Sequence, residues 1–206
     1  DGDTLVVGAR YDKIGANAYQ GSAYVFTRSG AIWAQQQKLI ANDGGKGDFF
    51  GGSIALDGDT MVVAADWDGP VAGSGYGSVY VFTRGGATWN QQQKLVANDG
   101  AAYDHFGRSV ALDGDTVVVG ASADDIGAFA DQGSAYVYTR SGSIWTQFQK
   151  LVANDGEPQD SFGHAVALDG DTLVVGAMMD NIGANSSQGS VYVFNLPTCP
   201  TLTFAP

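Results

Sequence analysis

The sequence predicts an all-β fold, a β-propeller of four-stranded antiparallel blades with about four blades in the chain. Three observations predict it: a 56-residue repeat, four strand-like runs inside each repeat, and no segment with a convincing helical period. Asp-Gly-Asp-Thr starts at Asp1, Asp57, Asp113 and Asp169, a constant step of 56 residues. Trp33, Trp89 and Trp145 keep that step, as does Gln-Lys-Leu from Gln37, Gln93 and Gln149. Ala-Asn-Asp-Gly from Ala41, Ala97 and Ala153 and Phe-Gly from Phe50, Phe106 and Phe162 keep it too.

The second unit shows the elements in order. Ser53-Ile-Ala-Leu56 alternates small and large residues and reads as the first strand, with Gly51, Ser53 and Ala55 suited to a crowded centre. Asp57-Gly58 signals a two-residue hairpin, expected as type I′ with positive φ at both central positions. The second strand, Asp59 to Ala65, is nearly all apolar, as a strand buried on both faces must be. A loop through Gly77 leads to the third strand, Ser78-Val-Tyr-Val-Phe82, and Thr83-Arg-Gly-Gly86 turns the chain again. The fourth strand, Thr88 to Val96, is mostly polar. Hydrophobicity thus falls from inner to outer strand, as in a blade whose last strand meets water. The once-per-unit Trp is expected to pack between blades, with a row exposed for sugar stacking as the alternative.

The units run from about 1–49, 50–105, 106–161 and 162–194, with 195–206 as a tail or closing strand. Leu202-Thr-Phe-Ala205 could close a four-bladed ring; otherwise the chain is about half of a larger ring. The chain opens in Asp1-Gly-Asp-Thr4, elsewhere the middle of a hairpin, so a processed, excised or partial product is expected. Cys199, the single cysteine, forms no internal disulfide and either pairs outside the chain or stays a thiol. The formal charge of −12 disfavours nucleic acid and anionic lipid as partners, and no run is long enough to insert in a membrane.

The run Phe106-Gly-Arg-Ser-Val-Ala-Leu-Asp-Gly-Asp-Thr-Val-Val-Val-Gly-Ala121, followed by Gly133-Ser-Ala-Tyr-Val-Tyr138, resembles the FG-GAP repeat. Integrin α-subunit propellers and many bacterial surface proteins carry such repeats. The resemblance reaches from the start of the chain to about Phe194 and implies a propeller used in adhesion or protein recognition. Two departures stand out. The signature Pro is replaced, as in Gly120-Ala-Ser122, and the first hairpin is too short for the integrin type of Ca²⁺ loop. Calcium takes about six to eight oxygens, so Asp57 and Asp59 are read as turn residues.

In a four-stranded meander, the loops after the second and fourth strands lie on one face. The first of these supplies Asp12, Asp68, Asp124 with Asp125, and Asp180; the second supplies Asp43 and Asp48, Asp99 and Asp104, Asp155 and Asp160. Three readings are open for these carboxylates: turn formation, a cation site between loops with Ca²⁺ as its cofactor, or a catalytic acid pair. A motif repeated in every unit argues against a single reacting centre. Tyr11, Trp67 and Met179 vary at one loop position and supply candidate contact surface.

The reading that follows is a non-catalytic extracellular or cell-surface module that recognises a protein or glycan, or copies of itself. A structural block of a surface layer or filament, and the propeller portion of a secreted hydrolase, are the alternatives.

Overall fold

The computed structural model describes residues 1–196, and these form four antiparallel sheets with no helix among them. The first blade is β1 (Thr4–Ala9), β2 (Ser22–Ser29) and β3 (Ile32–Leu39). The second is β4 (Ile54–Asp57), β5 (Thr60–Ala65), β6 (Ser78–Gly85) and β7 (Thr88–Leu95). The third is β8 (Phe106–Asp113), β9 (Thr116–Ala121), β10 (Ser134–Ser141) and β11 (Ile144–Leu151). The fourth is β12 (Phe162–Asp169), β13 (Thr172–Ala177) and β14 (Ser190–Asn195). Each sheet is a simple meander in sequence order. Cys199 and the stretch 202–205 lie outside the described residues.

The first hairpin differs from expectation in its turn. Asp57 pairs with Thr60, so the central residues are Gly58 and Asp59, and only Gly58 has positive φ, at 54°. Glycine at the first central position with an ordinary second residue is the type II′ pattern.

The outer hairpin carries a second device. Val81 pairs with Gln93 and Phe82 with Gln91, leaving Gln92 as a bulge. In an unbroken strand Gln91 and Gln93 would share a face. The extra residue puts them on opposite faces. Gln91 Oε1 accepts the Asn42 N–H of the first blade, at 3.0 Å. Gln93 bonds in the other direction, with Nε2 donating to the Trp145 carbonyl at 2.7 Å and Oε1 accepting the Trp145 N–H at 2.9 Å. One bulge therefore lets a single polar strand grip both neighbours.

The core lies between blades. Met61 and Val63 join Ala23 and Val25 of the first blade, while Val62 joins Val117 and Val119 of the third. Val118 faces onward to Leu173 and Val175. All six residues of β5 are buried, which accounts for its unbroken apolar run. Burying each such Val or Met is worth about 1.5–3 kcal/mol. The Phe of each Phe-Gly pair is wholly buried and meets the third-strand aromatics edge-on, Phe106 at 5.4 Å from Tyr136 and 6.0 Å from Tyr138.

Expected packing between blades holds for Trp89 and Trp145, each 2% exposed, and fails for Trp33, at 42%. Each tryptophan packs against the preceding blade, and no described blade precedes the first. The same logic exposes Leu5 and Val7 on the first blade, at 45% and 46%, and Val191 and Val193 on the fourth, at 67% and 66%. Among the described residues the blades form an open arc rather than a closed ring.

Candidate functional site

The loop after each second strand and the connector after each fourth strand are stitched together by their backbones. At the first junction Gly47 N–H bonds to the Ala18 carbonyl, Phe49 to Tyr19 and Phe50 to Gln20, at 2.9–3.0 Å. At the second, Tyr103 bonds to Ser74 and His105 to Gly75, both at 2.9 Å. The third repeats this with Gln159 to Ala130 and Ser161 to Asp131. The two loop sets therefore do share one face. The stitching holds side-chain-bearing residues in the left-handed region: Tyr19 at φ 59°, Phe49 at 58°, Tyr103 at 72° and His105 at 56°. Each costs roughly 1–2 kcal/mol.

The carboxylates on this face are mostly turned inward. Asp68, Asp124 and Asp180, expected on a ligand surface, are buried. Asp124 Oδ2 accepts Ser134 Oγ at 2.5 Å, Tyr136 Oη at 2.8 Å and Lys150 Nζ at 2.7 Å. Asp68 accepts Tyr80 Oη at 2.9 Å and Lys94 Nζ at 2.6 Å. Asp180 accepts the hydroxyls of Ser190 and Tyr192. Asp12, half-buried, takes Ser22, Tyr24 and Lys38, and the hydrogen bond from Lys38, with that from Ser22, pulls its carboxyl down to about 2. Asp125 is exposed and caps its own loop, accepting the Asp131 N–H at 2.9 Å. Burial, backed by the charge of Asp68, drives the Tyr80 hydroxyl above its usual range; burial with Asp124 does the same to Tyr136.

The connector carboxylates form two groups. Asp48, Asp104 and Asp160 are buried and accept the N–H three residues back, from Gly45, Ala101 and Glu157. This is the turn-forming reading. Burial, only partly offset by the Ala101 hydrogen bond, raises Asp104 to about 6. Asp43, Asp99 and Asp155 are exposed and reach the next blade. Lys94 Nζ sits 2.7 Å from Asp43 and 2.6 Å from Asp68; Lys150 Nζ lies 2.7 Å from both Asp99 and Asp124. Asp155 takes Tyr192 Oη at 2.9 Å.

These residues do not fit calcium. At the first two junctions an ammonium already lies between the two carboxylates a metal would bridge. Among the described residues no group of three or more His, Cys, Asp or Glu side chains is arranged to hold a metal ion. At those two junctions lysine relieves the mutual repulsion that suggests a cation, and at the third the Tyr192 hydroxyl lies between Asp155 and Asp180. Lys38, Lys94 and Lys150 were the missed partners. The signal was present in the repeated Gln-Lys-Leu, whose lysine follows the carboxylate of the previous connector by 51 residues.

The face also carries an aromatic group, exposed at Tyr11 and Tyr19 and half-buried at Phe49 and Trp67. Tyr11 lies edge-on to Phe49 at 5.5 Å and to Tyr19 at 6.2 Å. Phe49 is edge-on to Trp67 at 6.0 Å, and Trp67 meets His105 in a tilted contact, 55° between planes, at 4.6 Å. The Arg10 guanidinium covers Tyr11 and Phe49 at 5.4 and 5.1 Å while its Nη2 reaches Asp66 at 3.2 Å. Tyr11 and Trp67 were expected here; Tyr19, Phe49 and Arg10 join them through the loop stitching. Met179 is exposed at the equivalent position of the fourth unit, apart from this cluster. A hollow of about 400 Å³ opens among Asp43, Asp68, Pro70, Tyr76, Lys94 and Val96.

The cluster follows from breaks in the repeat. Where the first unit has Tyr11, Tyr19 and Phe49, the second has Trp67, Gly75 and His105, the third Ala123, Asp131 and Ser161. The frame is common to all, and aromatic side chains crowd one side of it.

The FG-GAP repeat family matches three stretches of the chain, residues 33–82, 89–138 and 145–194. No curated protein matches it at a significant level. With most of its length covered in three successive repeats, the chain belongs to the FG-GAP repeat family.

Proposed function

We propose that this chain is a non-catalytic, extracellular or cell-surface recognition module. Its ligand, a protein or a glycan, meets the loop face at the junction of the first and second blades. The observation that carries the proposal is the aromatic cluster of Tyr11, Tyr19, Phe49 and Trp67 with Arg10 above it, present at one junction of a frame that otherwise repeats. Aromatic rings and arginine supply much contact area at little conformational cost, and they dominate recognition surfaces. The repeated carboxylates are spent on lysine, serine and tyrosine partners inside the frame, which favours a binding role over acid–base chemistry. The likeness to repeats of integrin and bacterial surface proteins supports the cell-surface setting.

The test is binding of the purified chain to glycan panels and to cell-surface proteins, followed by Tyr11→Ala and Trp67→Ala. Tyr11 is exposed, so its loss should leave the melting temperature nearly unchanged while binding weakens about tenfold or more. Full binding by the double variant would remove the assignment to this face.

A structural role in a surface layer or filament is the second reading, favoured by the apolar ends of the arc at Leu5, Val7, Val191 and Val193. It predicts ordered polymers, visible by electron microscopy, that disappear when either end is made charged.

A further inference from the structure

The loop after the second strand follows one pattern in three of the four units. From Asp12 to Gln20, Asp124 to Gln132 and Asp180 to Gln188 it reads Asp-x-Ile-Gly-Ala, then three variable residues and Gln. All three loops close on the same backbone bridge, Ile14 with Asn17, Ile126 with Phe129 and Ile182 with Asn185. The second unit departs from the pattern. Asp68-Gly-Pro-Val-Ala-Gly-Ser-Gly-Tyr76 has proline for the isoleucine and tyrosine for the glutamine. That glutamine acts as a plug in the first and third units. A Cβ on Gly44 or Gly156 would collide with the Nε2 of Gln20 or Gln132. At Gly100, their counterpart, the nearest atoms all belong to Ala97, at 3.4 Å and beyond, so Tyr76 does not fill that space.

The unfilled space is the hollow of about 400 Å³, and Gly100 is part of its wall. Pro70, Tyr76, Val96 and Ala97 give it apolar sides. Lys94 stands at it between Asp43 and Asp68, and the Asp43 side chain is 51% exposed. A further polar group, Ser78, is 2% exposed and breaks the repeat as well. Ser22, Ser134 and Ser190 donate to Asp12, Asp124 and Asp180. Asp68 instead takes Tyr80 and Lys94, and Ser78 lines the hollow without the bond its counterparts make. Every wall belongs to the first connector or to the second unit and its connector, so the hollow is enclosed within the repeat array.

We propose that this hollow is a binding pocket for one neutral sugar ring, a site separate from the aromatic cluster and independent of the role given to it. Asp43, Asp68 and Lys94 together leave one negative charge, on a chain of formal charge −12, which turns anionic ligands away. The place of a ligand cation between the two carboxylates is already taken by the Lys94 ammonium. The occupant is therefore neutral. The polar groups it meets are unlike one another: Asp43 only accepts, Lys94 only donates and Ser78 does both. Hydroxyls along one edge of a pyranose match all three, because each both donates and accepts. The C–H face of the same ring packs on Tyr76 and Pro70, whose surfaces need an apolar partner. The volume lies at the small end of ligand pockets, about 300–1,000 Å³, and suits a single ring rather than a chain.

The experiment titrates the 206-residue chain with methyl glycosides of glucose, galactose, mannose and N-acetylglucosamine, read by saturation-transfer NMR and calorimetry. At least one should bind one-to-one with a Kd of about 1 mM, and glycerol, which has hydroxyls but no ring, should not. Tyr76→Gln installs the residue of the other three units, so it should fold normally by circular dichroism and weaken the sugar about tenfold or more. Ser78→Ala and Asp43→Asn each remove one hydrogen-bonding group and should weaken it about two- to tenfold, a readout that stands even where Tyr76→Gln unfolds the chain. Absence of saturable binding by every glycoside, glycerol binding as tightly as the sugars, full binding by folded Tyr76→Gln, or full binding by both Ser78→Ala and Asp43→Asn overturns the proposal. Sugar binding lost in Tyr11→Ala and Trp67→Ala but kept in Tyr76→Gln would also overturn it, moving the sugar to the aromatic cluster and leaving the recognition face in place.

Discussion

Gly120→Ala and Gly176→Ala make the same chemical change at the same place in successive repeats, and the structure predicts opposite results. Neither glycine has positive φ, so alanine fits the backbone at both sites and should gain about 0.4–1 kcal/mol by restricting the unfolded chain. At Gly176 no described residue opposes that gain, because the nearest atom among the described residues, in Ala165, lies 3.8 Å from the new methyl. At Gly120 the methyl would fall 2.8 Å from the Gly163 carbonyl carbon, closer still to its oxygen, and 2.5 Å from Ser109 Oγ. The third and fourth blades must then separate. Overpacking costs about 1–3 kcal/mol, and the 2.8 Å hydrogen bond from Ser109 to Gly163 adds about 1. Ala64 occupies this position in the second blade, so a junction can yield to the methyl. The expected net loss for Gly120→Ala is therefore about 2–3 kcal/mol, not collapse of the fold. For a chain of this size that lowers the melting temperature by roughly 4–12 °C. Gly176→Ala should melt at or slightly above the parent. Calorimetric scans of the three proteins decide the matter. Equal shifts for the two variants would refute the claim that these glycines serve the neighbouring blade rather than their own strand.

The ion pairs and buried acids yield two further predictions. Lys150→Met strips the ammonium from between Asp99 and the buried Asp124, and should cost about 2–4 kcal/mol near neutral pH, the lower end reflecting the partial exposure of the lysine. Burial works to raise Asp99, but the hydrogen bond from Lys150 holds it below the usual carboxylate range. Its contribution is therefore present above that range and lost as pH falls, so urea unfolding should show the two proteins converging in acid. A gap unchanged by pH would count against the pair. Asp104 works in the opposite sense. Its carboxyl is raised from 3.8 to about 6, so the folded chain holds the proton more tightly, and stability is lost as pH rises through that window. Asp104→Asn removes this, and its melting temperature relative to the parent should climb between pH 4 and 7. A flat difference would place the charge in a solvated site.

Much of the fold was legible because the repeat makes its own alignment. The apolar run of β5, the glycine turns and the polar β7 each recur in phase, and the strands fall within a few residues of their expected limits. What escaped was the convergence of side chains from separate strands and loops. The aspartates of the loops look like a ligand surface because their spacing is regular, yet Asp68 and Asp124 are satisfied by lysines from the outer strands and by tyrosines of the adjacent third strands. Local sequence carries no record of that convergence. The turn at Gly58 and Asp59 was placed one residue early because Asp-Gly is the stronger hairpin signal. The aromatic cluster was half visible: Tyr11 and Trp67 stand at a variable loop position, but Phe49 sits in a connector, and only the stitching of Phe49 to Tyr19 brings the rings together.

The phase of the repeat explains why the ends matter. The family match begins at each tryptophan and runs to the third strand of the next blade, so the recurring sequence unit straddles two sheets. It spans a junction, and the side-chain bonds across that junction tie it to the units on either side. Gln37 with Trp89, Asn42 with Gln91, Asp43 with Lys94, and Asp1 with Gly58 all bond across one, and Gln93 with Trp145, Asn98 with Gln147, Lys150 with Asp99, and Asp57 with Gly114 repeat them at the next. Stability in such an array is a sum over neighbouring contacts. Because the junction residues recur in phase, each blade carries both halves of the contact, including blades at the ends of the arc. An end blade thus presents a finished half-interface. The exposed valines of β14 are the direct consequence of repeating a contact rather than a strand set.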